Sequence, residues 1–295
     1  MHKKIKTTIN IDAELWKRFS HIVIEEKGYR KKNEVIENLI RKYVEKKDSK
    51  ENGIKRAIIL AAGIGSRLRP LTNNIPLCLL KINSITILEH QIKNLEECEI
   101  SDVIIVIGYK GEKIKQFCLK QLTDYNVDFK FVQNRYYSTT NNLYSLWLAR
   151  KYFNKGFVCL NSDVFFDVSI LKKLLKEKKD ICAVIEKKEC VEEDMKVKIG
   201  DGIEKIGKDL SREETDGEFI GIIKFSDRAV DKLLDAFEKI PLDIKKRGYV
   251  SHLIQELINR GNKVHVVEIQ NSFWKDIDFI EDLNEVRAYL LNNRR

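Results

Sequence analysis

The sequence has few of the residues that interrupt or cross-link a chain. Of its 295 residues, 3 are proline, 14 are glycine and 6 are cysteine, and no two cysteines form a CxxC pair. Single cysteines scattered in apolar surroundings argue against a disulfide-stapled secreted domain and against a metal cluster. There is also no apolar run of about 18 residues and no signal-peptide pattern at Met1–Asn10. We therefore expect a soluble, cytoplasmic protein with reduced thiols and no membrane partner.

Positive charge is concentrated at the start of the chain. Residues 1–50 contain 14 basic and 8 acidic residues, a net charge of +6, whereas the rest of the chain carries only +3. This asymmetry predicts a short basic module joined to a larger, nearly neutral one. The polar stretch "KKDSKENG" separates the two. We expect a small domain over 1–47, a linker over 48–54 and a large domain over 55–295.

The small module has the pattern of one strand followed by two helices. Apolar residues or threonine alternate from Ile5 to Ile11, and Asp12 then stands where a helix N-cap belongs. Gly28 is placed to end that helix and Asn33 to cap a second one. One strand and two helices in so short a segment cannot bury a core or satisfy the strand's backbone groups alone. A homodimer with paired strands solves both problems.

This pattern resembles the ribbon-helix-helix repressors over residues 3–47. In that family the paired strands enter the DNA major groove, which implies that Lys6, Thr8 and Asn10 face base edges. The resemblance also implies that the amides near Asn33 hold a DNA phosphate. The alternative is a module that only dimerises and whose basic face is solvated.

The large module alternates β and α patterns. Short β-rich runs recur at 56–62, 103–108, 128–132, 157–163, 181–186 and 263–269. Helical patterns lie between several of them, at 87–97, 110–122, 142–153 and 168–178. This alternation predicts an α/β fold with a doubly wound, mostly parallel sheet. Ligands of such sheets bind at the carboxyl ends of the strands.

The first of these strands ends in a turn that contains two glycines, followed by Arg67 and Arg69. Glycines let backbone amides approach an anion closely, and the arginines add charge and bidentate donors. No Gly-Lys-Ser/Thr follows, so this is not a Walker loop. Leu68 takes the place of the third glycine of a dinucleotide fingerprint. The residues alone give only a weak indication of phosphate binding.

The longer string "LAAGIGSRLRPLT" resembles the signature of the sugar-phosphate and phospho-alcohol nucleotidyltransferases, and the resemblance continues over roughly residues 56–290. It implies a Rossmann-like fold in which the Leu-Ala-Ala-Gly backbone reads the base. The resemblance also implies that the glycine turn cradles the triphosphate. The arginine is then a catalytic residue that neutralises the charge of the triphosphate. The implied nucleotide-binding residues are Leu60, Ala61, Ala62, Gly63, Gly65, Ser66 and Arg67.

One position departs from the family pattern. The family usually has Pro-Lys, with a lysine that contacts phosphate groups, where this chain has Pro76-Leu77. Lys81 is four residues further on, about 13 Å away along an extended chain. This departure leaves a second hypothesis open: a DNA-binding regulator whose large domain senses nucleotide without turnover.

Three aspartates are candidates for a metal site. Asp163 follows the strand "CLNS", and Asp276 and Asp278 are two residues apart in an extended stretch, so that their side chains share one face. Transfer onto the α-phosphorus of a nucleoside triphosphate needs a divalent ion held by carboxylates. The resemblance implies Mg²⁺ as the cofactor, with Asp163 and Asp278 as catalytic ligands and Asp276 beside them.

The acceptor is suggested by the segment "QNRYYSTTNNLYSLWLAR", which resembles the phosphocholine and phosphonoalkylamine cytidylyltransferases. The likeness implies CTP as the donor and a small phosphorylated or phosphonate acceptor. It places Asn134 and Asn141 near the nucleotide, and a further set near the acceptor: Tyr144, Lys196, Lys208, Glu218 and Trp274. Aromatic rings such as Trp274 suit a choline-like cation. The alternative for Tyr144 and Trp147 is that both are core residues at positions i and i+3 of a helix, above all Trp147. Sugar phosphates and inositol phosphate are rival acceptors.

Overall fold

The computed structural model describes residues 8, 10–29, 31–40 and 53–292. The chain divides into two compact units, Met1–Gly53 and Ile54–Arg295. Most of the predicted strand from Ile5 to Ile11, with Lys6, lies outside the described residues. Thr8 and Asn10 are described, and both are exposed.

The small unit contains the two predicted helices. Helix α1 (Ala13–Lys27) begins at Asp12, whose carboxylate accepts a hydrogen bond from the Leu15 backbone N–H, and it ends at Gly28, whose φ is +92°. Helix α2 covers residues 32–40, and the Val35 N–H already donates to the Lys31 carbonyl. Asn33 therefore lies inside the first turn of α2, and its predicted role as the cap is wrong.

The large unit is built around an α/β sheet whose central strands are parallel. These four strands lie in the order β6-β1-β4-β5. Their bounds are β1 (Arg56–Ala61), β4 (Asp102–Ile107), β5 (Asp128–Gln133) and β6 (Phe157–Asn161). Nearly all of β1 and β4 is buried, as the continuous apolar runs predicted.

An antiparallel strand, β11 (Gly217–Phe225), extends this sheet beyond β6. It also pairs with β8 (Ile181–Glu186) and β9 (Lys196–Ile199). The outer strands are β10 (Ile203–Gly207), which pairs with β9, and β12 (His265–Glu268), which runs parallel to β8. The mostly parallel sheet is confirmed, and β11 adds an antiparallel half to it.

Helices cover both faces of the sheet and enclose two buried apolar layers. The layer on one face includes side chains from α3 (Ile87–Glu97), α4 (Gly111–Gln121) and α6 (Val168–Lys176). The opposite layer includes side chains from α5 (Asn142–Leu148), α7 (Val230–Lys239) and α9 (Val250–Asn259). This two-sided arrangement confirms the doubly wound α/β fold and the helices predicted within it.

A small ribbon of two strands stands beside the main sheet and positions part of the site. Strand β7 (Val164–Phe166) pairs antiparallel with β13 (Trp274–Asp276), and the register sets Val164 opposite Asp276. The Ile277 N–H then donates to the carbonyl of Asp163, 3.1 Å away. Apolar side chains of the ribbon and of α10 (Ile280–Asn292) form a third buried cluster beneath it. The remaining elements are β2 (Lys81–Ile82), β3 (Ile85–Thr86) and α8 (Leu242–Arg247).

All six cysteines are free, in agreement with the prediction of reduced thiols. Four of them are buried, and burial raises the pKa of the Cys118 thiol to about 12. Within the described part of the chain, no helix has both the length and the apolar character needed to cross a membrane.

Candidate active site

A cavity of about 410 Å³ opens at the carboxyl ends of β1 and β6. The glycine turn after β1, the β7–β13 ribbon and the middle of β11 contribute to its walls. Most of the residues selected from the sequence line it: Leu60, Ala61, Ala62, Gly63, Gly65, Ser66, Arg67, Asn134, Asn141, Asp163, Lys208, Glu218, Trp274, Asp276 and Asp278. Tyr144 and Lys196 are not among its lining residues.

The glycine turn is held in one conformation by its neighbours. Gly65 has a left-handed backbone, with φ of +64°, and leads into a single 3-10 turn, Ser66–Leu68. The Thr72 hydroxyl donates to the Gly65 carbonyl across 2.7 Å. A β-carbon at position 65 would lie 3.0 Å from Cβ of Leu77. Both the backbone angle and this close approach therefore favour glycine.

Leu77 itself lines the cavity and packs partly against the third apolar cluster. It opens the 3-10 turn Leu77–Leu79 directly after Pro76. Lys81 is exposed on β2 and does not belong to the cavity wall. Among the described lining residues the cations are Arg67 and Lys208. Among the described residues, Lys81 thus does not replace the lysine that the family pattern would have next to Pro76, and Lys208 is the lysine that lines the cavity.

Arg67 is held by two carboxylates from distant parts of the chain. Its Nη1 donates to Oδ2 of Asp278 across 2.5 Å, and its Nη2 lies 3.0 Å from Oε2 of Glu193. The same Glu193 oxygen is 3.6 Å from Nζ of Lys208. Glu193 therefore connects the two cations of the cavity. It was not predicted, because one acidic residue in the exposed stretch "VEED" has nothing in its pattern to select it.

The three aspartates selected from the sequence meet in the cavity wall. Oδ1 of Asp163 and Oδ1 of Asp276 are buried and have no hydrogen-bond partner among the described residues. Burial, reinforced by the charge of Asp278, raises the pKa of Asp163 to about 6. Burial and the charge of Asp163 likewise raise the pKa of Asp276. Burial also raises the pKa of Asp278, and Arg67 opposes that rise. A cation near these carboxylates would offset the cost of burying their charges as well as their mutual repulsion.

The two asparagines placed near the nucleotide also hold the local backbone. The Asn134 amide donates to the hydroxyls of Thr140 and Ser145, 3.0 and 3.1 Å away, and its oxygen accepts from the Tyr136 N–H. Asn141 is the N-cap of α5. The side chain of Asn134 thus has several protein partners, so its amide is fixed in place where it meets the cavity.

The expected acceptor side is formed by β11 and the ribbon. The Glu218 carboxylate is nearly buried and lies 2.6 Å from Nζ of Lys188. Burial raises the pKa of Glu218 to about 7, although Lys188 opposes this rise. Lys196 donates from Nζ to the Lys208 carbonyl across 2.8 Å, and so acts on the backbone beside the cavity.

Tyr144 and Trp147, two aromatic residues of the segment "QNRYYSTTNNLYSLWLAR", are not among the residues that line the cavity. The Tyr144 ring is edge-on to Tyr136, with 6.4 Å between centroids. Trp147 packs on Phe237, with 5.6 Å between centroids, and contacts the apolar layer between the sheet and α7. The alternative of a core role is therefore correct for Trp147.

One cavity thus combines a glycine turn, an arginine and several acidic side chains. A comparison with protein families is consistent with this combination. Residues 56–194 match the model of the family described as nucleotidyl transferase. This part of the chain is therefore similar to the nucleotidyl transferases. Of the expectations from the sequence, the likeness to nucleotidyl transferases is confirmed, and so is the likeness to cytidylyltransferases.

Individual relatives resemble nearly the whole large unit. The CTP:phosphoglutamine cytidylyltransferase of Campylobacter jejuni is 27% identical over 251 residues, which are 77% of this chain and 97% of the relative. The choline-phosphate cytidylyltransferase of Streptococcus pneumoniae is 28% identical over 243 residues, 80% of this chain and 99% of the relative. The solved inositol-1-phosphate CTP transferase from T. maritima has a TM-score of 0.67 at 22% identity, over 81% of this chain and 97% of that one. At this identity the last comparison shows the fold.

The carboxylates of the cavity wall have the chemistry to hold a magnesium ion together with the phosphates of a substrate. Among the described residues, no three His, Cys, Asp or Glu side chains are grouped as a complete metal site. Mg²⁺ is usually bound by only one or two carboxylates together with phosphates and water. The unpartnered oxygens of Asp163 and Asp276 would be two such carboxylate ligands.

Gly221 is a residue of the cavity wall that was not predicted from the sequence. Gly221 interrupts the regular register of β11 and has φ of +79°. A β-carbon there would lie 2.6 Å from the amide nitrogen of Asn161. Asn161 in turn accepts from Asn142, which also accepts the N–H of Val250 at the start of α9. A glycine inside a buried strand was the available signal, since such glycines mark bulges and close approaches.

Proposed function

We propose that the large unit is a CTP-dependent cytidylyltransferase that joins CMP to a phospho- or phosphono-alcohol and releases pyrophosphate. The observation that carries this proposal is one cavity with the Gly63–Arg67 turn on one wall and Asp163, Asp276 and Asp278 on another. An anion cradle that faces buried carboxylates suits a triphosphate bound with a divalent cation. The names of the two curated relatives support CTP as the donor.

In the proposed reaction an oxygen of the acceptor's phosphate or phosphonate attacks the α-phosphorus of CTP. The bond from the α-phosphorus to the oxygen that bridges it to the β-phosphorus breaks, and pyrophosphate leaves with that electron pair. The acceptor oxyanion needs no covalent help from the protein. The residues act by positioning and by neutralising charge.

The proposal assigns roles to individual residues, and their positions in the cavity wall support these roles. The backbone of Leu60, Ala61 and Ala62 reads the base, and the amides of the glycine turn with Ser66 hold the phosphates. Arg67 neutralises the phosphates once it leaves its carboxylate partners. Asn134 and Asn141 border the nucleotide, while Lys208, Glu218 and Trp274 border the acceptor. Lys196 positions the backbone of Lys208, and Tyr144, which does not line the cavity, is not given a role at the acceptor.

Asp163, Asp276 and Asp278 would hold Mg²⁺ in this proposal. When bound, the ion supplies positive charge that polarises the phosphoryl oxygens of the nucleotide. Asp163 and Asp276 contribute buried oxygens without a hydrogen-bond partner, and the mutual repulsion of the three carboxylates favours a cation.

Pyrophosphate release tests the proposal. The purified full chain is incubated with Mg²⁺, each of the four ribonucleoside triphosphates, and a panel of choline, aminoethyl, inositol, glycerol and sugar phosphates or phosphonates. We expect release with CTP and with one of the alcohol esters. Release only with UTP or dTTP and a hexose phosphate would favour a sugar-phosphate enzyme. Tight nucleotide binding without release from any pair would favour the sensor hypothesis based on Leu77.

We further propose that residues 1–47 form a homodimer that binds DNA through Lys6, Thr8 and Asn10. Apolar side chains of α1 and α2 that stay exposed within one copy support pairing with a second copy: Leu15, Ile22, Leu39 and Ile40. Sedimentation of the full chain tests the dimer. Lys6→Ala should weaken DNA binding and lower its salt dependence. A dimer whose DNA affinity is unchanged by Lys6→Ala would leave dimerisation as the module's role.

A further inference from the structure

Lys188 places an ammonium group against two residues of the cavity wall on the acceptor side, although Lys188 is not itself among the lining residues. It lies in the loop between β8 and β9, and its Nζ is 2.6 Å from Oε2 of Glu218. The same Nζ is 5.7 Å from the ring centroid of Trp274 and 3.4 Å from Oδ2 of Asp194. Glu218 and Trp274 both line the cavity. One side chain of the protein thus engages the carboxylate and the aromatic ring at this end.

A quaternary ammonium ligand would need these same two partners. Proteins bind such cations between an aromatic face, at up to about 6 Å from the ring centroid, and a nearby negative charge. Lys188 meets both conditions itself. Another aromatic residue of the lining, Tyr249, also has an ammonium over its ring, because Nζ of Lys208 lies 5.4 Å from its centroid. At either of these two rings, a trimethylammonium group would have to displace a lysine or accept a like charge beside it.

An acidic end group is no better placed. Lys188 stands between Glu218 and Asp194, both of them largely buried, so one ammonium already balances two carboxylates. A third carboxylate here would meet net negative charge. Hydroxyl groups, in contrast, both donate and accept hydrogen bonds, and so they match an ammonium next to a carboxylate without a charge penalty.

We propose that Lys188 occupies the position between Glu218 and Trp274 that a substrate cation would take, so that the enzyme selects a phospho-alcohol whose far end carries no charge. This assignment rests on the proposed function, because it requires a phospho-alcohol acceptor. It makes Lys188 the residue that sets specificity against choline-like acceptors, and it replaces the expectation that Trp274 receives the cation of the substrate.

The test compares two ligands of the same shape that differ in charge. Phosphocholine and its carbon isostere 3,3-dimethylbutyl phosphate are titrated calorimetrically into the full chain with Mg²⁺ and α,β-methylene-CTP. We expect the wild type to bind the uncharged ester about tenfold more tightly than phosphocholine. Lys188→Met should reverse this preference, because it frees Glu218 and Trp274 for the ammonium group.

A matched control lies next to Lys188 in the chain. Lys187 forms an ion pair with Glu268, 3.0 Å away, and Glu268, unlike Glu218, is not a lining residue of the cavity. Lys187→Met should keep the wild-type preference. If Lys188→Met is unstable because it leaves Glu218 unpaired, the double variant Lys188→Met with Glu218→Gln removes the pair as a unit. That variant should bind the two esters with similar affinity.

Several outcomes would overturn the role of Lys188. They are tighter binding of phosphocholine by the wild type, an unchanged preference in Lys188→Met, and no binding of either ester. Pyrophosphate release with CTP is measured separately and reports on the proposed function. Release with phosphocholine as the best acceptor would contradict the role of Lys188 and leave the function standing. The expected binding preferences without release from any ester would contradict the function instead.

Discussion

Arg67 and Asp278 are 211 residues apart in the chain, yet Nη1 of the arginine lies 2.5 Å from Oδ2 of the aspartate. This pair joins the glycine turn after β1 to the segment that follows the β7–β13 ribbon. The arginine's other terminal nitrogen is engaged by Glu193. Two carboxylates of the protein therefore balance the guanidinium that is proposed to neutralise the triphosphate.

Replacing Glu193 should remove one of the two carboxylates that hold the Arg67 side chain. Glu193→Gln keeps the size of the side chain and removes the charge that Arg67 and Lys208 share. We expect CTP to bind a few times more tightly, since exposed ion pairs are worth only about 0.2–1 kcal/mol. Titration of CTP at low and moderate salt measures this. Weaker binding in Glu193→Gln would mean that Glu193 contacts the substrate directly, and Glu192→Gln is the neighbouring control.

Asp163→Asn should separate turnover from nucleotide binding. The variant keeps the shape of the side chain but removes a buried charge from the proposed metal site. We expect the rate of pyrophosphate release to fall by about 10²–10³-fold, the usual loss when a group that stabilises transition-state charge is removed. CTP affinity should fall far less, because the glycine turn is intact. Asp235→Asn, an exposed change on α7, is the control, and a rate equal to wild type in Asp163→Asn would exclude Asp163 from the chemistry.

Leu77→Lys should strengthen nucleotide binding. A lysine at this position keeps the β-carbon that lies beside Gly65 and adds an ammonium group to a cavity whose described lining has only two cations. One added contact between a cation and a phosphate predicts a decrease of about tenfold in KM for CTP. Leu77→Met, which matches the length without the charge, should leave KM unchanged. If both variants behave alike, Leu77 does not face the phosphates.

Asp102 at the start of β4 should matter for stability and not for catalysis. It accepts hydrogen bonds from Arg56 and Lys130, and the Arg56 side chain is only 7% exposed. Asp102→Asn leaves a buried guanidinium without its counter-charge, which predicts a loss of about 3 kcal/mol in the free energy of unfolding. Chemical denaturation measures this loss, and Asp235→Asn should change stability by less than about 0.5 kcal/mol.

The contribution of Asp102 should also depend on pH. Burial pushes the pKa of the Asp102 carboxyl up, but hydrogen bonds from Lys130 and Arg56 outweigh it and hold the pKa below its usual range. A lowered pKa in the folded state stabilises the fold above the unfolded value of about 3.9, and this stabilisation disappears as the pH falls through the folded value. The stability difference between wild type and Asp102→Asn should therefore be full at pH 6 and shrink below pH 4. A difference that is constant down to pH 2.5 would contradict this.

The central sheet was predictable because its strands are continuous apolar runs and its helices have clear amphipathic periods. Helix α3 occupies the same residues, 87–97, as its pattern indicated, and a capping box of Thr86 and Glu89 explains its sharp start. Strand β11 was harder to predict. Gly221 interrupts its pattern, and antiparallel pairing with three neighbours is a tertiary property that no local period encodes.

The candidate site likewise contains some residues that could be predicted from the sequence and others that could not. The glycine turn and the three aspartates follow strand ends and could be selected from the sequence. Lys188 and Glu193 lie in a loop, "KKECVEED", in which nearly every residue is charged. Only the folded chain determines that Lys188 reaches Glu218 while Lys187 reaches Glu268.

Strand β11 gives the molecule a natural seam for protein engineering. Its carboxyl-terminal half pairs with β6, next to the parallel strands that carry the glycine turn, and its first residues pair with β9 in the antiparallel half. The loop that carries Lys188 and Glu193 connects β8 and β9 on the antiparallel side. A segment exchange over residues 187–216 would therefore redesign the acceptor end and leave the nucleotide half of the cavity as the host framework.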